Sequence, residues 1–284
     1  MLVALLVVPL FLLLGAVLSG APASGSEPGR QAADRQPVAE WPLPRVLAEI
    51  SGLALTADGR LLAHNDEVAR IFEIDFRRGA IVKSFGVGRP LLRGDFEGIA
   101  VAGDSIYLLA SNGRVVAFRE GKNAEEVEYR IRDPGLSPEC EFEGIAFEPA
   151  ANALVLACKD TYRAADAGAL LFYRMPLGGA GPVRATRFLV PPGQVAGFGR
   201  SDGPSPTDLT IDAVSGHLVL VAARARLLIE LTPAGEVVRS ERLPSRHLQA
   251  EGIAISGGGG ERFLIVSDES VQWRQATIMV YRWP

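Results

Sequence analysis

Residues 96–100 read Phe-Glu-Gly-Ile-Ala, and this pentapeptide returns unchanged at residues 142–146 and with Ala in place of Phe at residues 250–254. Two looser copies, Ile-Ser-Gly-Leu-Ala and Pro-Thr-Asp-Leu-Thr, occupy residues 50–54 and 206–210. The second residues of successive copies are 46, 46, 64 and 44 positions apart. A self-similar period of about 40–50 residues is typical of propeller blades, each a four-stranded sheet. The repeat therefore predicts an all-β, five-bladed β-propeller.

The sequence after each copy is rich in apolar runs, such as Leu218-Val219-Leu220-Val221. Continuous rather than alternating runs are typical of strands buried on both faces, as the inner strands of packed blades are. The long third interval contains residues 191–206, a stretch rich in Gly and Pro that accounts for most of its excess. The alternative, a six-bladed ring, requires another blade in this loop, which has too few apolar residues.

The last blade is short, because only 34 residues run from position 251 to position 284, enough for three strands. Residues 38–47 precede the first copy and belong to no other blade. We expect them to supply the missing outer strand and so to close the ring. This assigns residues 38–284 to a single propeller domain.

The N-terminus carries an apolar run, residues 2–18, followed by Ala21-Pro22-Ala23, an A-x-A cleavage pattern. Residues 1–23 are therefore predicted to be a signal peptide. No Lys or Arg precedes the run, so the alternative is an uncleaved membrane anchor, since about 18 apolar residues can just span a bilayer. Residues 24–37, rich in Ser, Gly, Pro and charge, are predicted to be a flexible linker. Both alternatives predict a periplasmic or secreted domain, free or anchored to the inner membrane by this segment.

Charge and cysteine content narrow the possible partners. The net charge of −4 argues against nucleic-acid binding. Cys140 and Cys158 are the only cysteines, near the two ends of one hairpin of the third blade. Export permits a disulfide between them, whereas a simple hairpin register leaves them three residues out of opposition, and the sequence leaves both outcomes open. We expect a monomer that meets a membrane only through an uncleaved N-terminal segment.

The second residue of each copy has a predictable place. The innermost strand of every blade starts on one face beside the axis, so these residues form a ring: Ser51, Glu97, Glu143, Thr207 and Glu251. Carboxylates about 6 Å apart repel by about 3 kcal/mol per pair at an effective dielectric of 20, so the ring needs a counter-charge. All five donors are oxygen, which favours calcium. In the alternative, the Glu residues only pack the blades and the following Gly permits close backbone approach.

The strings at residues 49–53, 95–99 and 141–145 resemble the SdiA-regulated family of bacterial propeller proteins, over residues 45–284. The resemblance implies an extracytoplasmic, often membrane-associated propeller without a settled biochemical role. The chain is also similar to calcium-dependent apyrases, five-bladed propellers whose central calcium is held by Ser and Glu from successive blades. Phytase-like esterase-family propellers are similar too, with Glu-Gly-Leu or Glu-Gly-Ile blade starts. No full catalytic signature of either group is present.

Loops on the face of the ring carry further candidate residues. A cationic collar is predicted to hold a phosphate or carboxylate ligand, and its members are Lys159, Arg163, Arg224, Arg226 and Arg246. The spacing of Arg224 and Arg226 places both on one side of an extended strand. Three carboxylates are candidates for activating a water molecule in a hydrolase: Asp66, Asp160 and Asp268. In the alternative, each is an ordinary solvated surface charge.

Three functional hypotheses follow. The first is a non-catalytic calcium-binding propeller of the SdiA-regulated type at the cell envelope, which binds a small anionic ligand or an envelope partner on the ring face. The second is a metal-dependent phosphoester or ester hydrolase of apyrase-like or phytase-like kind. The third is an interaction scaffold without metal.

Overall fold

The computed structural model describes residues 35–178, 183–195, 203–257 and 260–284. About 54% of the chain is strand and 4% helix, arranged as five separate sheets, so the predicted five-bladed β-propeller is confirmed and the six-bladed alternative is wrong. The predicted signal or anchor, residues 1–23, and most of the linker, residues 24–37, lie outside the described residues. Within the described part of the chain, no helix is long and apolar enough to cross a membrane.

The elements follow one another as short strands joined by turns. The strands are β1 Ala39–Pro42, β2 Ile50–Leu55, β3 Leu61–Asn65, β4 Arg70–Asp75, β5 Ala80–Val87, β6 Phe96–Ala102, β7 Ser105–Ala110, β8 Val115–Arg119, β9 Glu126–Val127, β10 Tyr129–Arg132, β11 Cys140–Glu148, β12 Ala153–Thr161, β13 Leu170–Pro176, β14 Thr186–Val190, β15 Asp208–Ile211, β16 Leu218–Ala222, β17 Leu227–Leu231, β18 Val237–Arg242, β19 Ala250–Ser256, β20 Arg262–Asp268 and β21 Thr277–Trp283. Single 3-10 turns form at Arg45–Leu47, Pro149–Ala151 and Ala164–Asp166.

Each blade is an antiparallel sheet ordered from the axis outward. Blade 1 is β2-β3-β4-β5, to which β9 adds in parallel; blade 2 is β6-β7-β8-β10; blade 3 is β11 to β14; blade 4 is β15 to β18; and blade 5 is β19-β20-β21-β1. The strands β2, β6, β11, β15 and β19 each contact the next, and β19 returns to β2. These five strands therefore form the closed inner ring of the propeller.

The N-terminal strand closes this ring, as predicted. Strand β1 pairs antiparallel with β21, with Ala39 opposite Val280 and Pro42 opposite Thr277. The indole of Trp41 donates a hydrogen bond to the carbonyl of Phe76 in blade 1, at 3.1 Å. Because β1 covers the outer edge of blade 5 and also contacts blade 1, the first and last parts of the chain are fastened together.

The core lies between the blades. One apolar cluster joins blades 3 and 4, and it includes Val155, Phe172, Leu220 and Ile229, all fully buried. Four further clusters include side chains from adjoining blades. Burying each such side chain stabilises the fold by about 1.5–3 kcal/mol. The continuous apolar run of residues 218–221 is therefore explained, since each of its side chains is buried.

Candidate functional site

A β-bulge at the start of the innermost strand positions each ring residue in four of the blades. In blade 2, Phe96 lies opposite Ala110 and Gly98 opposite Leu109, so Glu97 has no residue across from it. The same break in register occurs at the other three positions, which are Ser51, Glu143 and Glu251. A bulge re-aims a side chain out of the regular alternation of a strand. The four residues thus lie at equivalent places at one end of the inner ring.

Blade 4 differs from the other four blades at this level. Thr207 precedes β15 instead of standing in a bulge. Its hydroxyl donates to the carbonyl of Ala250 at 2.6 Å, and the carbonyl of Val221 lies 3.4 Å away. Thr207 therefore fastens blade 4 to blade 5 through a backbone carbonyl.

Of the three ring carboxylates, Glu143 and Glu251 are buried and Glu97 is half-buried, and the three influence one another. Burial raises the pKa of Glu97 to about 9, with the charges of Glu143 and Asp95 adding to the effect. Burial, followed by the charge of Glu143, raises the pKa of Glu251 to about 8. Burial also raises the pKa of Glu143 to about 7, although Lys159 opposes that shift. Mutual repulsion of the ring carboxylates, expected from the sequence, therefore adds to burial in raising the pKa values of Glu97 and Glu251.

One ammonium group lies among these carboxylates. The Lys159 ammonium pairs with Oε1 of Glu143 and lies 3.4 Å from Oε1 of Glu141. Burial alone would lower its pKa, but Glu143, Glu141 and Glu97 together hold the pKa of Lys159 above its ordinary value. Lys159 is therefore a fixed positive charge, unsuited to act as a base or nucleophile. The structure places it against the ring carboxylate of Glu143, and its predicted part in holding an anionic ligand stays a prediction.

A second group of carboxylates surrounds the ring on blades 1 and 5. Burial and the charge of Glu49 raise the pKa of Asp66, while burial and the charge of Asp66 raise that of Glu269. The side-chain oxygens Asn65 Oδ1 and Asp66 Oδ1 are buried without a hydrogen-bond partner among the described residues. Eight carboxylates thus influence one another or Lys159 on this face: Glu49, Asp66, Asp95, Glu97, Glu141, Glu143, Glu251 and Glu269.

Sequence reasoning missed the role of Asp208, which stands where the other copies have Gly. Its carboxylate is fully buried and accepts the backbone N–H groups of Leu209 and Ile253, each at 2.8 Å, and that of Leu53. Burial raises its pKa well above the ordinary value, against the effect of these donors. Asp208 therefore joins the inner strands of blades 4, 5 and 1. The sequence Pro-Thr-Asp-Leu-Thr already showed this difference, since its acid stands at the third position of the repeat and not at the second.

The far ends of the inner strands line a cavity of about 600 Å³ that opens on the opposite face. Its walls are mostly apolar, with Leu53, Ile99, Ile145 and Leu209 among them. The carboxylate of Asp208 is bonded to the N–H groups of two of these wall residues, Leu53 and Leu209. The ring residues do not belong to this lining, so the acidic face and the apolar cavity are separate features.

Three cations of the predicted collar already have carboxylate partners, and the role of the collar in holding an anionic ligand stays a prediction. Arg163 pairs with Glu139 at 3.2 Å and with Asp166 at 3.3 Å, Arg224 with Asp160 at 3.4 Å, and Arg246 with Glu40 at 2.6 Å. Each of these three is therefore already neutralised by a carboxylate. Arg226 lies in the turn between β16 and β17 with a φ of 54°, so the prediction that Arg224 and Arg226 share one side of an extended strand is wrong.

The three candidate catalytic carboxylates have different surroundings. Asp66 lies in the acidic surround described above. Asp160 is half-exposed and accepts from Arg224 and from the Ser205 hydroxyl, at 3.2 Å for the latter. Asp268 is 2% exposed and bonded at Oδ2 to the His247 ring at 2.6 Å and at Oδ1 to two backbone N–H groups. Asp268 is therefore held by His247 and the backbone, and its predicted role in activating a water molecule stays a prediction.

The two cysteines form a disulfide, with their Cα atoms 5.6 Å apart. Strands β11 and β12 carry two bulges, because Glu143 is skipped on one strand and Lys159 on the other. The bulge at Glu143 places Cys158 opposite Phe142, whereas Cys140 lies opposite Thr161, so the two cysteines are two pairs apart along the ladder and the disulfide joins them diagonally. A regular hairpin register, as assumed from sequence, would place Cys158 opposite Glu143, three residues from Cys140.

No family model and no curated protein matches the chain. Among solved structures, the chain is similar to glutaminyl cyclase from Myxococcus xanthus, with 16% identity, a TM-score of 0.55, and 88% of this chain and 97% of that one covered. It is also similar to the PQQ-bound form of aldose sugar dehydrogenase from Streptomyces coelicolor, with 15% identity, a TM-score of 0.52, and 86% and 98% covered. At these identities the likeness shows a propeller fold and nothing about the reaction.

Proposed function

We propose that this protein is an exported propeller that binds a calcium ion in the acidic ring and uses the ring face to bind a ligand or partner. The observation that carries the proposal is the group of three ring carboxylates with raised pKa values, Glu97, Glu143 and Glu251, of which the last two are buried, beside the ammonium of Lys159. Without a metal, the repulsion between these carboxylates is relieved when they take up protons, and a divalent cation would relieve it in their place. Calcium binding should therefore release protons from these groups near neutral pH.

The donor set fits calcium in chemistry. Glu97, Glu143, Glu251 and the Ser51 hydroxyl offer only oxygen, and calcium takes six to eight oxygen ligands in flexible geometry. Among the described residues, no three His, Cys, Asp or Glu side chains converge closely enough to hold a metal ion. Occupation therefore requires the carboxylates to draw inward around the ion, which the ammonium of Lys159 now opposes by pairing with Glu143.

Two features support an extracytoplasmic location. The sequence predicts a signal or anchor over residues 1–23, and the Cys140–Cys158 disulfide is a type of bond that persists in oxidising compartments. The resemblance to the SdiA-regulated family agrees with both. We therefore assign the protein to the cell envelope as part of the same proposal.

The ring face also has the character of a binding surface. Trp273 is 82% exposed and Tyr162 is 61% exposed, and they follow β20 and β12 at the ends that carry Asp268 and Lys159. Exposed aromatic side chains are enriched at interaction sites. A calcium ion in the ring would add a positive centre there, suited to a small anionic ligand or to an acidic group of an envelope partner.

Isothermal titration calorimetry of the protein with calcium and with magnesium tests the proposal. We expect one calcium ion bound per chain and weaker binding of magnesium, which demands stricter octahedral geometry. Glu97→Gln and Glu251→Gln should each weaken binding, whereas Glu128→Gln, on an exposed residue, should not. Absence of heat with calcium in the wild-type protein, combined with an unchanged melting temperature, would falsify the proposal.

A second candidate is a metal-dependent phosphoester or ester hydrolase. It is favoured by one observation, the neighbouring carboxyls Glu143 and Glu97: burial and the charge of Glu143 raise the pKa of Glu97, whereas Lys159 opposes the rise in the pKa of Glu143, and two carboxyls in different environments can act as acid and base. Nucleotides, phytate and nitrophenyl esters, each offered with calcium, test it. Turnover that disappears in Glu143→Gln or Asp160→Asn would establish this second function; no turnover leaves the binding function alone.

A further inference from the structure

Blade 3 contains a device that the other blades lack. Its inner hairpin has two bulges, one at Glu143 on β11 and one at Lys159 on β12, whereas the inner hairpins of blades 1, 2 and 5 each have one. The two bulged residues are nearly opposite each other and form the ion pair at the ring. The disulfide joins the residues next to this pair, Cys140 beside Glu141 and Cys158 beside Lys159. The hairpin is thus built to deliver an ammonium to the ring.

The position of this ammonium has a chemical consequence. It contacts the carboxylate of Glu143 and is influenced by those of Glu97 and Glu141. Glu143 and Glu97 are donors that a divalent ion in the ring would use. An ammonium and a calcium ion cannot occupy the same carboxylate oxygens, and their like charges repel at short range.

We infer that Lys159 is a tethered counter-ion that occupies the ring in the metal-free protein, and that a divalent cation binds only by displacing it. This inference rests on the proposed function, since it describes the regulation of the same site. Lys159 thereby sets the affinity of the ring and limits occupation to ions with a charge large enough to replace an ammonium.

The structure also provides a place for the displaced side chain. The carboxylate of Glu141 lies 3.4 Å from the Lys159 ammonium and is 39% exposed, against 5% for that of Glu143. A rotation of the lysine stem exchanges the buried partner for the exposed one. The ammonium then keeps a carboxylate and regains water, so the displacement does not leave a buried charge unpaired.

Calcium titration of Lys159→Met, with Lys122→Met on an exposed loop as the matched control, tests the inference. Removing the ammonium should raise calcium affinity by about tenfold or more, which corresponds to about 1.4 kcal/mol per factor of ten. The control should bind calcium like the wild type. Sodium and potassium should bind no variant that retains Lys159.

The outcomes separate the two proposals. Calcium binding in Lys159→Met but not in the wild type supports the tethered counter-ion and overturns calcium as the native ligand. Equal or weaker affinity in Lys159→Met, with normal wild-type binding, overturns the counter-ion and leaves the proposed function standing. If neither binds calcium, both proposals fail. Circular dichroism of each variant confirms that the fold is intact before any of these readings is used.

Discussion

Blades 3 and 4 place the same chemical group one residue apart, with opposite results. In blade 3 the acid is Glu143, in a bulge at the ring, and the next residue is Gly144. In blade 4 the acid is Asp208, at the position of that Gly, and the ring position holds Thr207. The buried carboxylate of Glu143 pairs with the partly exposed Lys159, whereas that of Asp208 is fully buried and accepts backbone N–H groups from three blades.

The comparison shows that an acid at the ring position can take part in a binding site, whereas an acid one residue later stabilises the fold. A carboxylate at the bulge faces other carboxylates, so it favours a cation. A carboxylate one residue later enters the interior, where its hydrogen-bond partners are backbone groups and its role is to join blades. The propeller can therefore change what a blade contributes by moving an acid through a single position.

The largest expected effect comes from breaking the blade 4 side of this comparison. Asp208→Ala removes the acceptor of three backbone N–H groups, and each buried donor left unpaired costs about 1–3 kcal/mol. We expect a loss of about 3 kcal/mol or more in the free energy of unfolding, measured by urea denaturation. The control Asp104→Ala removes an exposed ion pair with Arg119, which is worth about 1 kcal/mol or less. Equal losses in the two variants would contradict this account of Asp208.

The disulfide belongs only to blade 3, and removing it should have the next largest effect. It joins residues 18 apart, and closing a loop of about 15 residues stabilises a fold by about 3 kcal/mol. Cys140→Ser/Cys158→Ser should lose about that amount in urea denaturation. Reduction with a dithiol should produce the same loss in the wild type and no change in the double variant. A wild-type stability unaffected by reduction would show that the bond contributes nothing.

The glycine after the ring position tests how closely blades 3 and 4 approach. A Cβ on Gly144 would lie 2.9 Å from the backbone nitrogen of Leu209 and 3.0 Å from the Cα of Asp208. Because backbone cannot move aside easily, Gly144→Ala should cost about 1–3 kcal/mol. Gly260→Ala is the control, since no atom of the described residues lies within 4 Å of its added Cβ. A neutral Gly144→Ala would mean that the blades are farther apart than described.

The last prediction concerns a pH dependence of stability to which the ring carboxylates of blades 2, 3 and 5 contribute. Glu143, Glu251 and Glu97 have folded pKa values of about 7, 8 and 9, against 4.5 for a free Glu. The native state then binds more protons than the unfolded state, so this contribution to stability is fully present below pH 4.5 and is lost as pH rises through the folded values. The metal-free protein should unfold more easily at pH 9 than at pH 6, and Glu97→Gln should reduce that difference. Higher stability at pH 9 than at pH 6 would contradict this prediction, because it would mean that the folded protein favours the ionised form of these carboxyls.

Much of the fold could be predicted from the sequence because a repeat of one pentapeptide fixes both the number of blades and the start of each inner strand. The closing strand β1 was predictable because the last blade lacked residues. The strand beginnings also located the ring, since a β-bulge at four of the five copies leaves the second residue in an equivalent place.

The other features of the site depend on contacts between strands, which cannot be predicted from the composition of each strand. The second bulge in blade 3 has no signal in its own residues, so Lys159 was assigned to an anion-binding collar and the disulfide could not be decided. The arginines of that collar depended on carboxylates distant in sequence, such as Glu40 for Arg246. The sequence around Asp268 does not indicate that its carboxylate pairs with His247, which lies 21 residues away in the chain.

The most direct test of the central claim, that the ring is a cation site now held by Lys159, is a crystal structure determined with and without calcium. We predict that with calcium one ion lies at the axis, bound by Glu97, Glu143 and Glu251, and that the Lys159 ammonium has moved to Glu141. Without calcium, Lys159 should remain on Glu143. A ring that still holds Lys159 on Glu143 and contains no ion at saturating calcium would contradict the account.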